Sequence, residues 1–307
     1  MGLTCSSCGT NLLEDDMLLL QKNCDYTIAL AGNPNVGKST IFNALTGMHQ
    51  HTGNWPGKTV SNACGTCLHK NKNLLFVDIP GTYSLMSNSQ EEEIARDYLC
   101  FGKPDTTVII LDATCIEKNL NLVFQTLEIT NKVVVCVNLL DEARKKHIRI
   151  DLKKLSDFLG VPVVGTIARK KKTLQHLLST IVKVASLPNT CQPNLVTYHP
   201  IIEDSLLMLE STLSKYLPKE YAHLSRWTAL KLIDGEPSIL HSIKKNFSLS
   251  FREEEIQNKL NEAKELLSDN DIDEQNFRDK IVSSIVLKAE DIHNHVVSYE
   301  RCARFKP

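Results

Sequence analysis

Ile28-Ala-Leu-Ala-Gly-Asn-Pro-Asn-Val-Gly-Lys-Ser-Thr-Ile-Phe-Asn-Ala-Leu45 decides the fold. The apolar run Ile28 to Ala31 reads as a buried strand. It stops at Gly32, and Gly32 to Ser39 spells G-x-x-x-x-G-K-S. Ile41, Phe42 and Leu45 then recur with helical spacing. Strand, glycine loop and helix form the context in which this pattern binds phosphate. Gly32 and Gly37 let the backbone fold tightly and turn its N–H groups onto phosphate oxygens. The helix N-terminus adds positive partial charge. Lys38 is placed for the β- and γ-phosphates and the Ser39 hydroxyl for Mg2+. The competing reading, a glycine turn beside a surface lysine, does not explain the flanks.

The whole chain bounds the answer. Its 307 residues suffice for one large domain or two ordinary ones. A hydrophobic content of 42% with 23% charged residues is that of a soluble globular chain. A net charge of −1 gives no bulk attraction to nucleic acid or anionic lipid. No apolar run reaches the ~18 residues that span a membrane, and no secretory signal is visible. The ten cysteines are scattered, some inside strand-like runs such as Val133 to Val137, and read as reduced thiols. Cys5 and Cys8 have metal-like spacing but lack a second pair. Cys64-Gly-Thr-Cys67 reads as a turn or bulge at Gly65. Met1-Gly2 with Ser6 fits an acylation pattern too loose to adopt.

Working outward, residues 1–24 are an extension. Residues 46–58 are polar with three glycines and read as a long mobile loop. Thr59 to His69 and Leu74 to Val77 read as strands, Gln90 to Cys100 as a helix with an acidic start. Thr107 to Leu111 and Val133 to Val137 are continuous apolar runs, as in parallel strands covered on both faces. A helix with Leu120, Val123, Phe124 and Leu127 lies between them. Asp151 to Leu159, Val161 to Val164 and Thr173 to Val184 continue as helix, strand, helix. Strand and helix alternate throughout, which gives an α/β domain with a mainly parallel sheet over residues 25–188. Leu187 to Asn194 reads as a linker. Beyond it, residues 189–300 show helical spacing without strands: 201–216, 226–232, 252–267 and 277–297. That is a small all-helical domain, followed by a tail at 301–307.

Later stretches choose the nucleotide. Asp78-Ile-Pro-Gly81 follows a strand, where a Mg2+-linked carboxylate and a γ-phosphate-sensing N–H belong. Thr59, at the end of the mobile loop, supplies a second hydroxyl that closes on Mg2+ and the γ-phosphate. Asn138-Leu-Leu-Asp141 follows the strand 133–137. A carboxylate there accepts two hydrogen bonds from guanine N1–H and N2–H2, a pair that adenine lacks. Gly165-Thr166-Ile167-Ala168 offers a backbone N–H to guanine O6. Asp78 as a helix cap and Asn138 to Asp141 as an ordinary turn are the plain alternatives. Four such stretches in order behind one phosphate loop make coincidence a poor account.

These stretches resemble the cytoplasmic N-terminal part of FeoB-type ferrous iron transporters. The resemblance rests on GNPNVGKSTIFNALTG (32–47), GNWPGKTV (53–60), DIPGTYSL (78–85), NLLDEA (138–143), GTIARK (165–170) and RWTALKLIDGE (226–236). It covers about residues 25 to 300. It implies a P-loop GTPase domain followed by a helical, dissociation-inhibitor-like regulatory domain. The tail would lead toward a membrane domain that passes Fe2+ and is absent here. The expected nucleotide contacts are Gly32, Asn33, Pro34, Asn35, Val36, Gly37, Lys38, Ser39 and Thr40; Gly57, Lys58, Thr59 and Val60; Asp78, Ile79, Pro80 and Gly81; Asn138, Leu139, Leu140 and Asp141; and Thr166, Ile167 and Ala168. Lys38, Thr59 and Gly81 take the catalytic roles. Ser39, Thr59 and Asp78 hold Mg2+, and the resemblance puts K+ on Asn35, where it supplies charge that an arginine finger supplies elsewhere. It also implies slow, K+-stimulated hydrolysis of GTP to GDP at the cytoplasmic face of the inner membrane, with small Feo-type accessory proteins and a homo-oligomer as partners and no nucleic acid.

Some residues depart from common patterns. Thr82 stands where many small GTPases keep a water-orienting glutamine, so the loop near 53–59 or backbone atoms must position the water. Leu139 replaces a base-covering lysine, and Ile167 stands where the family usually has serine. Losing that hydroxyl predicts weak nucleotide affinity and fast GDP release. Two further classes compete. A soluble cation-activated GTPase of ribosome assembly or tRNA modification predicts a basic patch or RNA module, which the charge balance opposes. A metal-sensing module would use His49, His51, His69 and the cysteines as ligands.

Overall fold

The computed structural model describes residues 20–47, 50–55, 60–86, 89–187, 191–247 and 254–300. Expectations placed on Cys5, Cys8, His49, Gly57, Lys58, Thr59 and the tail 301–307 lie outside these residues.

Seven strands form one sheet in the order β2-β3-β4-β1-β5-β6-β8: β1 (Tyr26–Gly32), β2 (Gln50–Asn54), β3 (Ser61–His69), β4 (Lys72–Asp78), β5 (Thr106–Asp112), β6 (Val133–Asn138) and β8 (Val163–Gly165). β4, β1, β5, β6 and β8 run parallel, and β3 and β2 add an antiparallel edge. Helices α1 (Lys38–Thr46), α2 (Gln90–Phe101), α3 (Ile116–Leu127), α4 (Leu140–Lys145), α5 (Leu152–Leu159) and α6 (Lys171–Ser186) connect them. Ile28, Leu30, Leu75, Val77, Ile109 and Val135 are completely buried. That explains why β1, β4, β5 and β6 are legible as unbroken apolar runs.

The edge corrects two expectations. Residues 50–54 are not loop: Gln-His-Thr-Gly-Asn pairs with β3 from Gln50↔Gly65 to Asn54↔Ser61. An edge strand needs only backbone partners, so a polar pentapeptide without alternation still joins a sheet. Gly65 makes no turn or bulge, being paired with Gln50 on one side and Phe76 on the other. Cys64 and Cys67 form no disulfide. Their odd spacing on one strand points them to opposite faces.

The helical region comprises α7 (Pro200–Tyr216), a 3-10 turn at Lys219–Leu224, α8 (Ser225–Asp234), α9 (Pro237–Phe247), α10 (Glu254–Ser268) and α11 (Glu274–Val296). It is not purely helical in its connections. Strand β9 (Val297–Tyr299) returns to the α/β domain and pairs antiparallel with β7 (Ile148–Ile150), directly after α4. Nor is the segment after 190 a free linker. Cys191, Val196 and Tyr198 are buried, and the Asn194 N–H donates to Leu159 O at 3.0 Å. The strap crosses Gly160 closely: a Cβ there would lie 1.9 Å from Gln192 O, and Gly160 has φ 69°. Only glycine fits that position.

Buried charges join the two regions. Arg96 on α2 is fully buried. Its guanidinium meets Asp97 at 2.7 Å, Ser238 Oγ at 3.2 Å and Ser242 Oγ at 3.3 Å, the serines belonging to α9. Arg226 on α8 forks onto Glu203 at 2.8 and 3.0 Å and reaches Glu128 after α3 at 3.2 Å. The Tyr198 hydroxyl holds the other Glu128 oxygen at 3.2 Å. Burial pushes the Glu128 carboxyl up, and Arg226 opposes that shift. Removing Arg226 therefore strands a buried carboxylate. Arg226→Met is expected to cost about 3–5 kcal/mol of stability, read by urea unfolding; a loss below about 1 kcal/mol, as for an exposed pair, would show that Glu128 is not held by Arg226.

Candidate functional site

The phosphate loop joins β1 to α1 at the carboxyl ends of the parallel strands. Ligands bind there in open α/β sheets. Asn35 (φ 66°) and Gly37 (φ 84°) adopt left-handed backbone. Gly37 is required twice, by its φ and by crowding, since a Cβ there would sit 2.5 Å from Asn138 Nδ2. Lys38 opens α1, and its ammonium pairs with the Asp78 carboxylate at the end of β4. Both side chains are largely buried. Burial pushes the Asp78 carboxyl up, and Lys38 brings it only part of the way back. The loop thus gathers one cation and one carboxylate, each satisfying the other.

Ser39 and Thr40 lie in the first turn of α1, Thr40 exposed. The Ser39 hydroxyl and the Asp78 carboxylate are hard oxygen donors, which suit Mg2+. Asn35 is exposed and brings a carboxamide oxygen, the neutral donor type that accepts a monovalent cation. Asn33 is 3% exposed, and neither polar atom of its amide has a partner among the described residues. A buried amide left open in a phosphate loop fits a site completed by a ligand. Trp55 stacks edge-on against Tyr98 of α2 (5.3 Å between centroids), and its backbone N–H donates to Val60 O at 2.9 Å.

Ile79, Pro80 and Gly81 lie against the same loop. The Ile79 N–H donates to Leu30 O and the Thr82 N–H to Gly32 O, both at 3.2 Å. Pro34 Cα is 3.5 Å from where a Gly81 Cβ would stand. Thr82 is buried, and its hydroxyl binds the Ser84 carbonyl and accepts the Ser84 N–H. It is committed to the turn.

Asn138 ties the loop to the second cluster. Its Nδ2 donates to Val36 O at 3.1 Å and its Oδ1 accepts from Thr166 Oγ1 at 3.1 Å. Leu139 takes φ 60° as the first cap of α4, which puts Leu140 and the half-buried Asp141 in the helix's first turn. The Leu140 N–H reaches Thr166 O at 3.5 Å. Thr166 and Ile167 are buried and Ala168 is half-buried. The structure therefore brings four predicted stretches together: 32–40, 78–81, 138–141 and 166–168.

Sequence reasoning missed one residue here. The Ile167 N–H donates to Thr173 Oγ1 at 3.2 Å. Thr173 was legible only as a helix start. The loop is not left without a supporting hydroxyl, so the fast release expected from Ile167 does not follow from that residue alone.

Comparison with known proteins fixes the family. A family profile described as "Ferrous iron transport protein B" matches residues 26–181, and one described as "FeoB cytosolic helical domain" matches residues 198–298. The chain belongs to the FeoB family. An Escherichia coli K12 relative named "Fe(2+) transporter FeoB" is 35% identical over 216 residues, which are 68% of this chain and 27% of that protein. A Porphyromonas gingivalis "Fe(2+) transport protein A/Fe(2+) transporter FeoB fusion protein" is 36% identical over 211 residues, 68% of this chain and 25% of that protein. The chain thus spans about a quarter of the length of these FeoB relatives. Among solved structures, a GDP-bound mutant of S. thermophilus NFeoB has a TM-score of 0.73 at 28% identity, covering 89% of this chain and 100% of that one. The cytosolic domain of T. maritima FeoB in its GMPPNP form has a TM-score of 0.71 at 31% identity, covering 89% and 99%. The FeoB assignment leaves the ribosome-assembly or tRNA-modification reading without support. The metal-sensor reading fares no better: His69 is buried and bonded to Ser179 Oγ at 3.1 Å. Among the described residues no three His, Cys, Asp or Glu side chains gather as a metal site, and no helix is long and apolar enough to cross a membrane.

Proposed function

We propose that this FeoB chain binds GTP and hydrolyses it slowly, as the regulatory switch of a ferrous iron transporter. The observation that carries the reading is the convergence of Lys38, Asp78, Gly81, Asp141 and Ala168 at one end of the sheet, with Asn138 bridging the phosphate and base clusters. Lys38 binds the β- and γ-phosphates, the Gly81 N–H meets the γ-phosphate, and Asp141 with Ala168 reads guanine. Ser39, Asp78 and Thr59 would hold Mg2+, which would neutralise phosphate charge. Asn35 would hold K+, which would supply positive charge for phosphoryl transfer. GTP draws in Thr59, beyond the paired strand β2, and hydrolysis releases it. Residues 189–300 pass that state to an Fe2+ permease domain of the kind implied for full-length relatives. Accessory Feo-type proteins and a homo-oligomer belong to the same reading.

The relay has a physical route. Trp55, four residues before Thr59, rests on Tyr98 of α2, and α2 carries Arg96, whose guanidinium is held by α9. Movement of the Thr59 loop is thereby felt at the joint with the helical region.

The test compares GTP hydrolysis in KCl and NaCl at equal ionic strength. K+ is expected to raise the rate by about tenfold or more, a modest share of what a charge at the transferring phosphoryl supplies. Asn35→Ala is expected to bring the KCl rate down to the NaCl rate while GDP affinity stays within about twofold. Equal rates in both salts for the unaltered chain would refute the cation role.

A further inference from the structure

The base loop is fastened from outside its own motif. Thr166 Oγ1 ties the start of the loop to Asn138 at 3.1 Å, but the Ile167 side chain is apolar and buried, so it does not hold its own N–H. The brace comes from α6. Thr173 Oγ1 accepts the Ile167 N–H at 3.2 Å. Its single proton faces two acceptors, Lys170 O at 2.8 Å and Ile167 O at 3.1 Å. The Lys170 N–H closes the same turn onto Ile167 O at 2.7 Å. One hydroxyl thus stands at the hub of the turn 167–170. It is mounted on the third residue of a sixteen-residue helix whose Leu174, Leu177, Leu178 and Ile181 are buried against the sheet. A threonine bonding back to the carbonyl three residues before it is a common helix-start feature. The bond to Ile167 N–H is not part of that feature, because it reaches out of the helix into the loop.

We propose that Thr173 is the positioning residue of the guanine-base loop. It fixes Ile167 and so aims the next N–H, that of Ala168, at guanine O6. The rate of GDP release is then set by a side chain outside the recognised motifs. The proposal rests on the nucleotide reading above. Without the hydroxyl, the Ile167 N–H loses its partner and regains one only when the loop opens to water. Opening the loop is what lets the base leave.

The experiment is stopped-flow release of a fluorescent GDP analogue from the full 307-residue chain, with thermal melting of the same samples. Thr173→Val keeps the shape and removes the hydroxyl; Thr173→Ala guards against a misfolded valine variant. Both are expected to release GDP about tenfold faster, with the association rate within about twofold and the nucleotide-free melting temperature little changed. Thr173→Ser keeps the hydroxyl and is expected to release GDP at the unaltered rate. Release from the valine and alanine variants at the unaltered rate would overturn the proposal. So would equally fast release from the serine variant, because packing of the methyl group would then be the cause. Failure of the unaltered chain to bind the GDP analogue at all would overturn the nucleotide reading, and this proposal with it.

Discussion

Lys38→Ala is expected to abolish GTP binding at micromolar nucleotide. Two effects combine. The ammonium proposed to meet the β- and γ-phosphates disappears, and a hydrogen bond to a charged group contributes about 1.5–3 kcal/mol, or roughly ten- to 150-fold in affinity for each such bond removed. The Asp78 carboxylate, already pushed up by burial, also loses the ammonium that opposes the shift. Its protonated form is then favoured further, which weakens the Mg2+ site that GTP needs. Together these predict at least about a hundredfold weaker binding of GTP. The effect on GDP should be smaller, because GDP has no γ-phosphate for the ammonium to meet. Lys38→Arg is not expected to restore binding, since a planar guanidinium does not occupy the position of a compact ammonium. Titration with fluorescent GTP and GDP analogues reads both numbers. An unchanged GTP affinity in Lys38→Ala would remove Lys38 from the phosphate site, and equal weakening for the two nucleotides would remove it from the γ-phosphate.

How far the sequence carried the structure depended on what each element needs. β1, β4, β5 and β6 are legible because strands buried on both faces must be apolar throughout. The phosphate loop is legible because its glycines answer to hard constraints: Gly37 has φ 84° and no room for a Cβ. β2, β7 and β9 are not legible, since short strands held by backbone pairing place little demand on side chains. Arg96 lies in the helix read over Gln90 to Cys100, but nothing local marks it as fully buried, because its partners Ser238 and Ser242 lie more than 140 positions away. Thr173 fails for a related reason. Its local bond to Lys170 O has a sequence signature, but its bond to Ile167 depends on how the loop turns back over α6. The stretches that the structure brings together at one end of the sheet were therefore readable from their local patterns. The residues that hold those positions in place were not, because only the fold dictates them.

Asp141→Asn is expected to exchange guanine preference for xanthine. The carboxylate lies in the first turn of α4, where the helix N-terminus favours a negative charge. It is placed there by two features that do not touch the base: the left-handed backbone at Leu139 and the Leu140 N–H bond to Thr166 O. As an acceptor-only group, Asp141 matches two guanine donors, N1–H and N2–H2. An asparagine offers one acceptor and one donor. Against guanine its NH2 faces an NH2, and both donors are left without partners. Against xanthine, whose C2 carries an oxygen, the same NH2 is satisfied. Sites that hydrogen-bond a substrate group reject the analogue lacking it by about 10⁴-fold or more. A partly exposed carboxylate lies below that limit, so a fall in GDP affinity of roughly a hundredfold or more is expected, with a comparable gain for XDP. Competition of GDP and XDP against a fluorescent diphosphate on the unaltered and Asp141→Asn chains gives the ratio. Should both chains prefer GDP by the same factor, Asp141 does not read the base. Should the variant lose both nucleotides equally, the substitution has disturbed the α4 start, and the carboxylate's part there is positional rather than selective.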